Sequence, residues 1–348
     1  MPMKALTYDI NFPNNYQLID KEKPAILDSK DAIIEVTMSS ICTSDLHIIH
    51  NKVPNAKNGI TLGHEYVGRV VEVGSEVKNI KVGDRVSANC ETFCAECFFC
   101  KKGFVNNCIN GGWKIGCTHN GAQAEFVRVM YADNCLNKLP DNVTDKNALL
   151  VGDVLATGYF GAKMIEIEKD DIVAIIGSGS VGMCSMMCAR VLGAKEIIAI
   201  DINSSRLELA KSQNLANHYL NPNECDIEKE IKTLTQNRGA DKVIEAAGSK
   251  ETFKMAWKIA RPNAIVGVVA LYEENQILPL PKMYGKNLTF KTGGIDAIYS
   301  DELIKLISEG KINTDFMFTH EYKLENIMEA YQKFQEKNSD CIKIAISK

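Results

Sequence analysis

Six residues, Gly177-Ser178-Gly179-Ser180-Val181-Gly182, restrict what this chain can fold into more than any other segment. They follow the apolar run Ile172–Ile176 and open a stretch of helical pattern, Val181–Leu192. A G-x-G-x-x-G sequence in that context lets the backbone turn tightly, approach a pyrophosphate and pack the helix closely on the strand. The free N–H groups at the helix start then face the phosphates. Gly177, Gly179, Val181 and Gly182 are therefore cofactor-binding candidates. Strands and helices alternate beyond them: Glu196–Ile200, a helix from Ser204 to Asn214, His218–Leu220, a helix near Ile227–Gln236, Lys242–Glu245, a helix near Lys250–Ile259, Ala264–Leu271 and a last strand at Leu288–Lys291. Nearly continuous apolar strands alternating with helices predict an α/β fold, a doubly wound parallel sheet covered on both faces. Asp201 ends the second strand, and its carboxylate would accept the ribose hydroxyls of NAD while repelling the extra phosphate of NADP. Arg206 follows and would accept that phosphate, so NAD is favoured and NADP is the second choice.

The first ~150 residues have a different texture, with short β-type runs such as Ile33–Met38, Val67–Val73 and Glu125–Val129 broken by Gly, Asn and Asp. They predict an irregular β-rich domain or partial barrel. The tail, Ile295–Lys348, carries helices at Asp301–Ser308 and Leu324–Lys333 and a strand at Cys341–Ile346. It is too short for a domain and is expected to complete the first one. The expected division is residues 1–153 with 295–348, and residues 154–294.

A net charge of −4 gives no electrostatic case for binding nucleic acid or an acidic membrane. No apolar run approaches the ~20 residues of a membrane span, and Met1–Asp9 lacks a signal-peptide pattern. A cytoplasmic location is expected. Twelve cysteines are many for a reducing compartment, and five of them fall between Cys90 and Cys108. Such clustering reads as metal binding rather than as a disulfide framework. Cys94, Cys97, Cys100 and Cys108 follow C-x2-C-x2-C-x7-C. Four soft donors on a short foldable segment suit a closed, structural zinc site. Buried free thiols or an iron–sulfur cluster are the alternatives, and the long gap to Cys108 fits a cluster poorly. Cys90, just outside the pattern, reads at this level as a strand residue.

A second set is dispersed: Cys42 within Cys42-Thr43-Ser44-Asp45-Leu46-His47, His64-Glu65 after Gly63, and Asp153. One thiolate, one imidazole and one carboxylate would serve a catalytic zinc, which keeps a fourth position open. Taken singly, each residue fits an ordinary structural role equally well.

Taken in order, Cys42-x-Ser44-Asp45-x-x-His47, Gly63-His64-Glu65, Val82-Gly83-Asp84-Arg85-Val86 and the cysteine cluster resemble the zinc-dependent medium-chain alcohol dehydrogenases. The resemblance runs from about Lys4 to the C-terminus. Gly112-Trp113-Lys114 and Gly152-Asp153-x-x-x-Thr157-Gly158 look closest to the bacterial secondary-alcohol branch. It implies a GroES-like catalytic domain beside a Rossmann domain, two zinc ions per chain, and reversible NAD-linked oxidation of a short secondary or primary alcohol. A diol or polyol substrate, of butanediol or sorbitol type, is the alternative with the same mechanism. The resemblance implies that Cys42, His64 and Asp153 hold the catalytic zinc, Asp153 standing where many relatives have a cysteine. Glu65 would be an alternate ligand or a partner of one. Ser44 would hydrogen-bond the substrate oxygen, and His47 would pass its proton to solvent. Asp45 would orient His47 or a zinc ligand. Thr157 and the turn Ala246-Ala247-Gly248 would approach the nicotinamide, while Trp113, Cys90, Tyr159 and Ile295 would border the substrate. The partners implied are a small alcohol or carbonyl compound and further copies of the chain, as a homotetramer or homodimer. A zinc-free quinone reductase and a non-catalytic zinc- or NAD-binding protein are the rival classes. Zinc stoichiometry separates them, at none and one per chain against two.

Overall fold

The computed structural model describes residues 2–336 and 340–348. The chain forms two compact units, Met1–Ala156 with Ile295–Lys348, and Thr157–Gly294.

The first unit opens with a hairpin. Strands β1 (Pro2–Tyr8) and β2 (Tyr16–Glu22) pair antiparallel along their whole length, and β4 (Ile60–Thr61) adds to the end of β1. The larger sheet is built around β3 (Ala32–Ser40), which pairs along one edge with β5 (Tyr66–Val73). Next come β6 (Arg85–Ala88) and β8 (Leu136–Lys138), while β7 (Phe126–Val129) pairs with the first half of β3. Side chains two apart on β3 share a face. Ala32, Ile34 and Val36 accordingly enter one core with Tyr66, Val70 and Val86.

In the second unit β9 (Ile172–Ile176), β10 (Glu196–Ile200), β11 (His218–Leu220), β12 (Ala240–Glu245), β13 (Ala260–Val268) and β14 (Thr289–Thr292) form one parallel sheet in the order β11-β10-β9-β12-β13-β14. The winding reverses between β9 and β12, which is the switch point where such sheets bind ligands at the carboxyl ends of their strands. Strand β13 spans Ala260–Val268 rather than the expected Ala264–Leu271. It ends early because the Val269 and Ala270 N–H groups turn back onto the Glu245 carbonyl, at 3.0 and 3.4 Å.

The chain then re-enters the first unit as β15 (Phe318–Lys323) and β16 (Lys343–Ser347). β16 pairs with β15 in parallel and with the second half of β3 antiparallel. The last helix begins as a 3-10 turn, Leu324–Asn326, and continues as Ile327–Gln335. Its Ile327, Ala330 and Tyr331 pack with Leu6, Ile41, Leu62 and Ile344 in a second core of this unit. No helix among the described residues is long and apolar enough to cross a membrane.

Candidate active site

The four lobe sulfurs of Cys94, Cys97, Cys100 and Cys108 all lie within 4.8 Å of one another. Cys97 and Cys100 stand 3.5 Å apart, and Cys94 and Cys108 3.6 Å apart. Tetrahedral zinc–thiolate bonds of ~2.3 Å would separate neighbouring sulfurs by ~3.8 Å. The lobe is otherwise held by little: Phe98, Phe104 and Ile109 are exposed, and its helical pieces are the four-residue Phe98–Lys101 and the 3-10 turn Val105–Asn107. Backbone N–H groups of Cys100 and Ile109 bring the Cys97 thiol down to about 6, whereas burial and bonds to the neighbouring sulfurs push Cys100 up to about 12. Four sulfurs this close could hold one metal ion between them.

Cys42 Sγ, His64 Nε2 and a carboxylate oxygen of Asp153 form a second group within 4.8 Å, drawn from three separate loops. Cys42 precedes the helix Thr43–Ile49, where Asp45 Oδ2 accepts the Cys42 N–H at 2.9 Å and so caps the first turn. His64 lies on the loop entering β5. Asp153 is brought in by Gly152, where an added Cβ would stand 1.8 Å from the Ala88 carbonyl oxygen at the end of β6. The separations are 3.6 Å from Cys42 Sγ to Asp153 Oδ2 and 3.3 Å from His64 Nε2 to the same oxygen. Tetrahedral zinc with Zn–S ~2.3 Å and Zn–N and Zn–O ~2.0 Å would place S···O at ~3.5 Å and N···O at ~3.3 Å. The donor set and its spacing therefore fit zinc.

The electrostatics point the same way. Burial pushes the Cys42 thiol up, and the Asp153 and Glu65 carboxylates push it further. Burial alone would lower His64, but Asp45 and Asp153 on either side hold it well above the usual histidine value. Burial likewise works against ionised Asp153, and the bond to His64 overcomes it, holding this carboxyl far below the usual range. A thiol and two carboxylates crowded around one imidazole form a charge arrangement that a divalent cation would neutralise. Glu65 is fully enclosed. Its Oε2 accepts hydrogen bonds from Ser40 Oγ and from the buried Lys343 ammonium, while Oε1 accepts none. Burial raises this carboxyl to about 7 against the pull of Lys343.

Asp45 faces His64, its Oδ1 lying 3.3 Å from His64 Nδ1. Ser44 is half-buried, with Oγ 3.6 Å from Cys42 Sγ. His47 is half-buried one turn further along the same helix. Cys90 is no strand residue: its thiol points at Asp153 Oδ1, 3.6 Å away. The Trp113 ring meets His64 edge-on, with centroids 5.4 Å apart. Ile295 is buried where the chain re-enters this unit. Lys343, Ser40, Gln123 and Tyr331 carried no sequence signal, since each reads as an ordinary strand, loop or helix residue and meets the site only through long-range folding.

In the second unit, Gly177–Gly182 joins β9 to the helix Ser180–Val191. A Cβ on Gly182 would stand 1.8 Å from the Gly177 carbonyl oxygen, so only glycine allows this approach. Asp201 grips the loop: Oδ2 accepts the Ser178 N–H at 2.6 Å and Oδ1 the Asn203 N–H at 2.8 Å. Arg206 Nη1 lies 3.8 Å from where a Cβ on Gly179 would stand, and its Nε is enclosed without a hydrogen-bond partner. Val181 is half-buried in the first turn of that helix. Thr157 is half-buried and Tyr159 fully buried in the helix Val154–Met164.

A doubly wound sheet with this loop, on a chain that also builds an open three-donor metal site, defines a zinc-assisted dehydrogenase. The family description "Alcohol dehydrogenase GroES-like domain" matches residues 28–141, and "Zinc-binding dehydrogenase" matches residues 180–308. An alcohol dehydrogenase of Cupriavidus necator is 33% identical, with 96% of each chain covered. The NADP-dependent isopropanol dehydrogenase of Thermoanaerobacter brockii is 32% identical, covering 93% of this chain and 94% of its own. The solved zinc-dependent alcohol dehydrogenase 2 of Streptococcus pneumonia superposes with a TM-score of 0.91 at 35% identity, covering 99% of this chain and 98% of its own. The chain belongs to the zinc-dependent medium-chain alcohol dehydrogenase family.

Proposed function

We propose that this enzyme catalyses the reversible oxidation of short secondary or primary alcohols to ketones or aldehydes, with NAD as hydride acceptor and zinc at Cys42, His64 and Asp153. The observation that carries this is the three-donor cluster, with separations of 3.3 and 3.6 Å and, among the described residues, no fourth donor in the group. A zinc ion there supplies Lewis acidity that eases loss of the hydroxyl proton. Ser44 takes that proton by hydrogen bond, and His47, on the same helix, moves it towards solvent. Glu65, held by Lys343 and Ser40, keeps compensating negative charge behind the ligands. Trp113 stands edge-on to His64 and narrows the space beside the open position, which favours small substrates. The lobe cysteines hold a second, structural zinc. Absorbance of reduced nicotinamide, followed over short alcohols, diols, polyols and their ketones, tests the assignment. Higher kcat/KM on a diol or polyol than on every simple alcohol would replace it with the polyol reading.

The preference for NAD rests on Asp201. Its carboxylate sits at the tip of the phosphate loop, where a 2′-phosphate would meet a like charge. The kcat/KM ratio of NAD to NADP is expected to exceed ten, and Asp201→Ser should lower it at least tenfold because Arg206 remains. A native preference for NADP, as in the name of the Thermoanaerobacter relative, would refute this. Copies of the chain are expected to associate as dimers or tetramers. Among the described residues the outer edge of β14 has no neighbouring strand, and Leu271, Ile277, Leu280 and Tyr284 are exposed. The twelve cysteines, none in a disulfide, suit a reducing cytoplasm.

A further inference from the structure

A chain of hydrogen bonds runs from the last helix of the first unit to Asp45, whose second carboxylate oxygen faces the His64 imidazole. The Tyr331 hydroxyl donates to Gln123 Oε1 at 2.7 Å. Gln123 Nε2 donates to Asp45 Oδ2 at 3.1 Å and to the Ser40 carbonyl at 3.2 Å. Asp45 Oδ2 also accepts the Cys42 N–H at 2.9 Å. Asp45 Oδ1 lies 3.3 Å from His64 Nδ1, an ion-pair contact in which neither atom has a hydrogen-bond partner. Tyr331, Gln123 and Asp45 are completely buried and His64 nearly so, leaving no water to substitute for a missing partner.

The direction of every bond in this chain is determined. The Ser40 carbonyl and the Asp45 carboxylate only accept, so the Gln123 amide must turn its NH₂ towards them. Its oxygen then faces Tyr331, whose hydroxyl is the one donor there. Asp45 Oδ2 takes the two N–H groups, which leaves Oδ1 facing His64 Nδ1. With a metal held at Nε2, the nitrogen 3.3 Å from Asp153, the remaining proton of His64 would sit on Nδ1, towards Asp45. Gln123 is locked from the backbone side as well. Gly63, immediately before His64, lies so close that a Cβ there would stand 2.5 Å from Gln123 Cγ.

We infer that Tyr331 and Gln123 are positioning residues for the catalytic metal: through Asp45 they select the His64 tautomer and ring orientation that bind zinc. The inference rests on the assignment of His64 as a ligand. It places a determinant of metal affinity on a C-terminal helix far away in sequence. It also gives a purpose to a tyrosine whose burial among apolar side chains and next to Asp45 raises its hydroxyl well above the usual value.

The test is chelator competition on the purified zinc-loaded enzyme, with the lobe zinc as internal reference. Partners of zinc-bound histidines are worth ten- to a hundredfold in affinity. Tyr331→Phe keeps the ring and its packing and should weaken the catalytic zinc by about that factor while leaving the lobe zinc at wild-type affinity; Gln123 Oε1 loses its donor, so a modest fall in thermal stability accompanies it and zinc affinity is compared in the folded protein. Gln123→Met should weaken it at least as much. The double variant should lose no more than Gln123→Met alone, because Tyr331 acts through Gln123. Wild-type zinc affinity in folded Tyr331→Phe would overturn the inference, and additive losses would overturn the route through Gln123. If His64→Ala retains both zinc ions, the ligand assignment fails instead, so the two failures are distinguishable.

Discussion

The His64→Ala enzyme is expected to carry one zinc ion per chain instead of two and to lose about a thousandfold or more in kcat/KM. Loss of Lewis-acid stabilisation worth several kcal/mol, at about 1.4 kcal/mol per decade of rate, gives that scale. His64 is 3% exposed, and its removal also leaves Asp45 Oδ1 without the imidazole it faces and Asp153 Oδ2 with only the Cys42 thiol. Each unpaired buried group costs about 1–3 kcal/mol, so a fall in thermal stability should accompany the loss of rate. Cys42→Ala separates the two effects. It removes a ligand without stranding Asp45, which still receives His64, Gln123 and the Cys42 backbone N–H. Both variants should show the same zinc stoichiometry and the same collapse of turnover, with the larger destabilisation in His64→Ala. Metal analysis beside steady-state kinetics decides the matter, and either variant with two zinc ions and full activity would remove the residue from the ligand set.

The second large effect belongs to the lobe. Cys97→Ser should lose the other zinc ion and leave the segment from Cys94 to Gly112 open to proteolysis well below the temperature at which the whole protein unfolds. Val105 and the buried sulfurs of Cys94 and Cys108 are nearly all the core this segment has, and its aromatic side chains face outward. Structural zinc contributes about 10–16 kcal/mol of apparent binding energy in small peptides. Forfeiting even about 4 kcal/mol would lower Tm by roughly 10 °C in a unit of this size. Limited proteolysis with zinc analysis of the fragments reads this directly. A Cys97→Ser protein with native protease resistance and one zinc ion would show that the lobe holds itself.

What could be read beforehand follows the range over which each signal acts. The strands β9, β10 and β11 were legible to the residue, because an apolar run between Gly, Asp and Asn needs no knowledge of the rest of the chain. The β1–β2 hairpin was not legible. Its partly exposed second strand, Tyr16–Glu22, mixes Asp, Lys and Glu into the run and shows no clean alternation. Strand β15 was missed although its exposure alternates, because His320 on the inward face leaves only Phe318 and Tyr322 as apolar residues in the run. The metal-ligand types could be named from motif order. Their supports could not, because Lys343, Gln123 and Tyr331 reach the site across hundreds of residues and resemble any other buried or surface position until the chain has closed. Asp45 shows the intermediate case: a carboxylate three residues after Cys42 marks a helix cap, but which histidine it faces is a tertiary fact.

The insertion of the dinucleotide-binding unit between the two segments of the first has a consequence for how the enzyme is made. Glu65 and its buried cation, Lys343, are separated by 278 positions, with the whole inserted unit in between. At a translation rate of about 5–20 residues per second, Glu65 waits roughly 15 to 55 s before Lys343 has even been polymerised. During that interval the nascent first segment lacks β16 and the tyrosine of the last helix, and burying Glu65 without its counter-charge would be costly. The inserted unit, contiguous in sequence, has no such debt and can mature on the ribosome. The zinc-binding pocket thus becomes competent only after the cofactor-binding fold exists. An order of assembly is written into the topology, and it delays the reactive thiol and carboxylate cluster until the protein around it is complete.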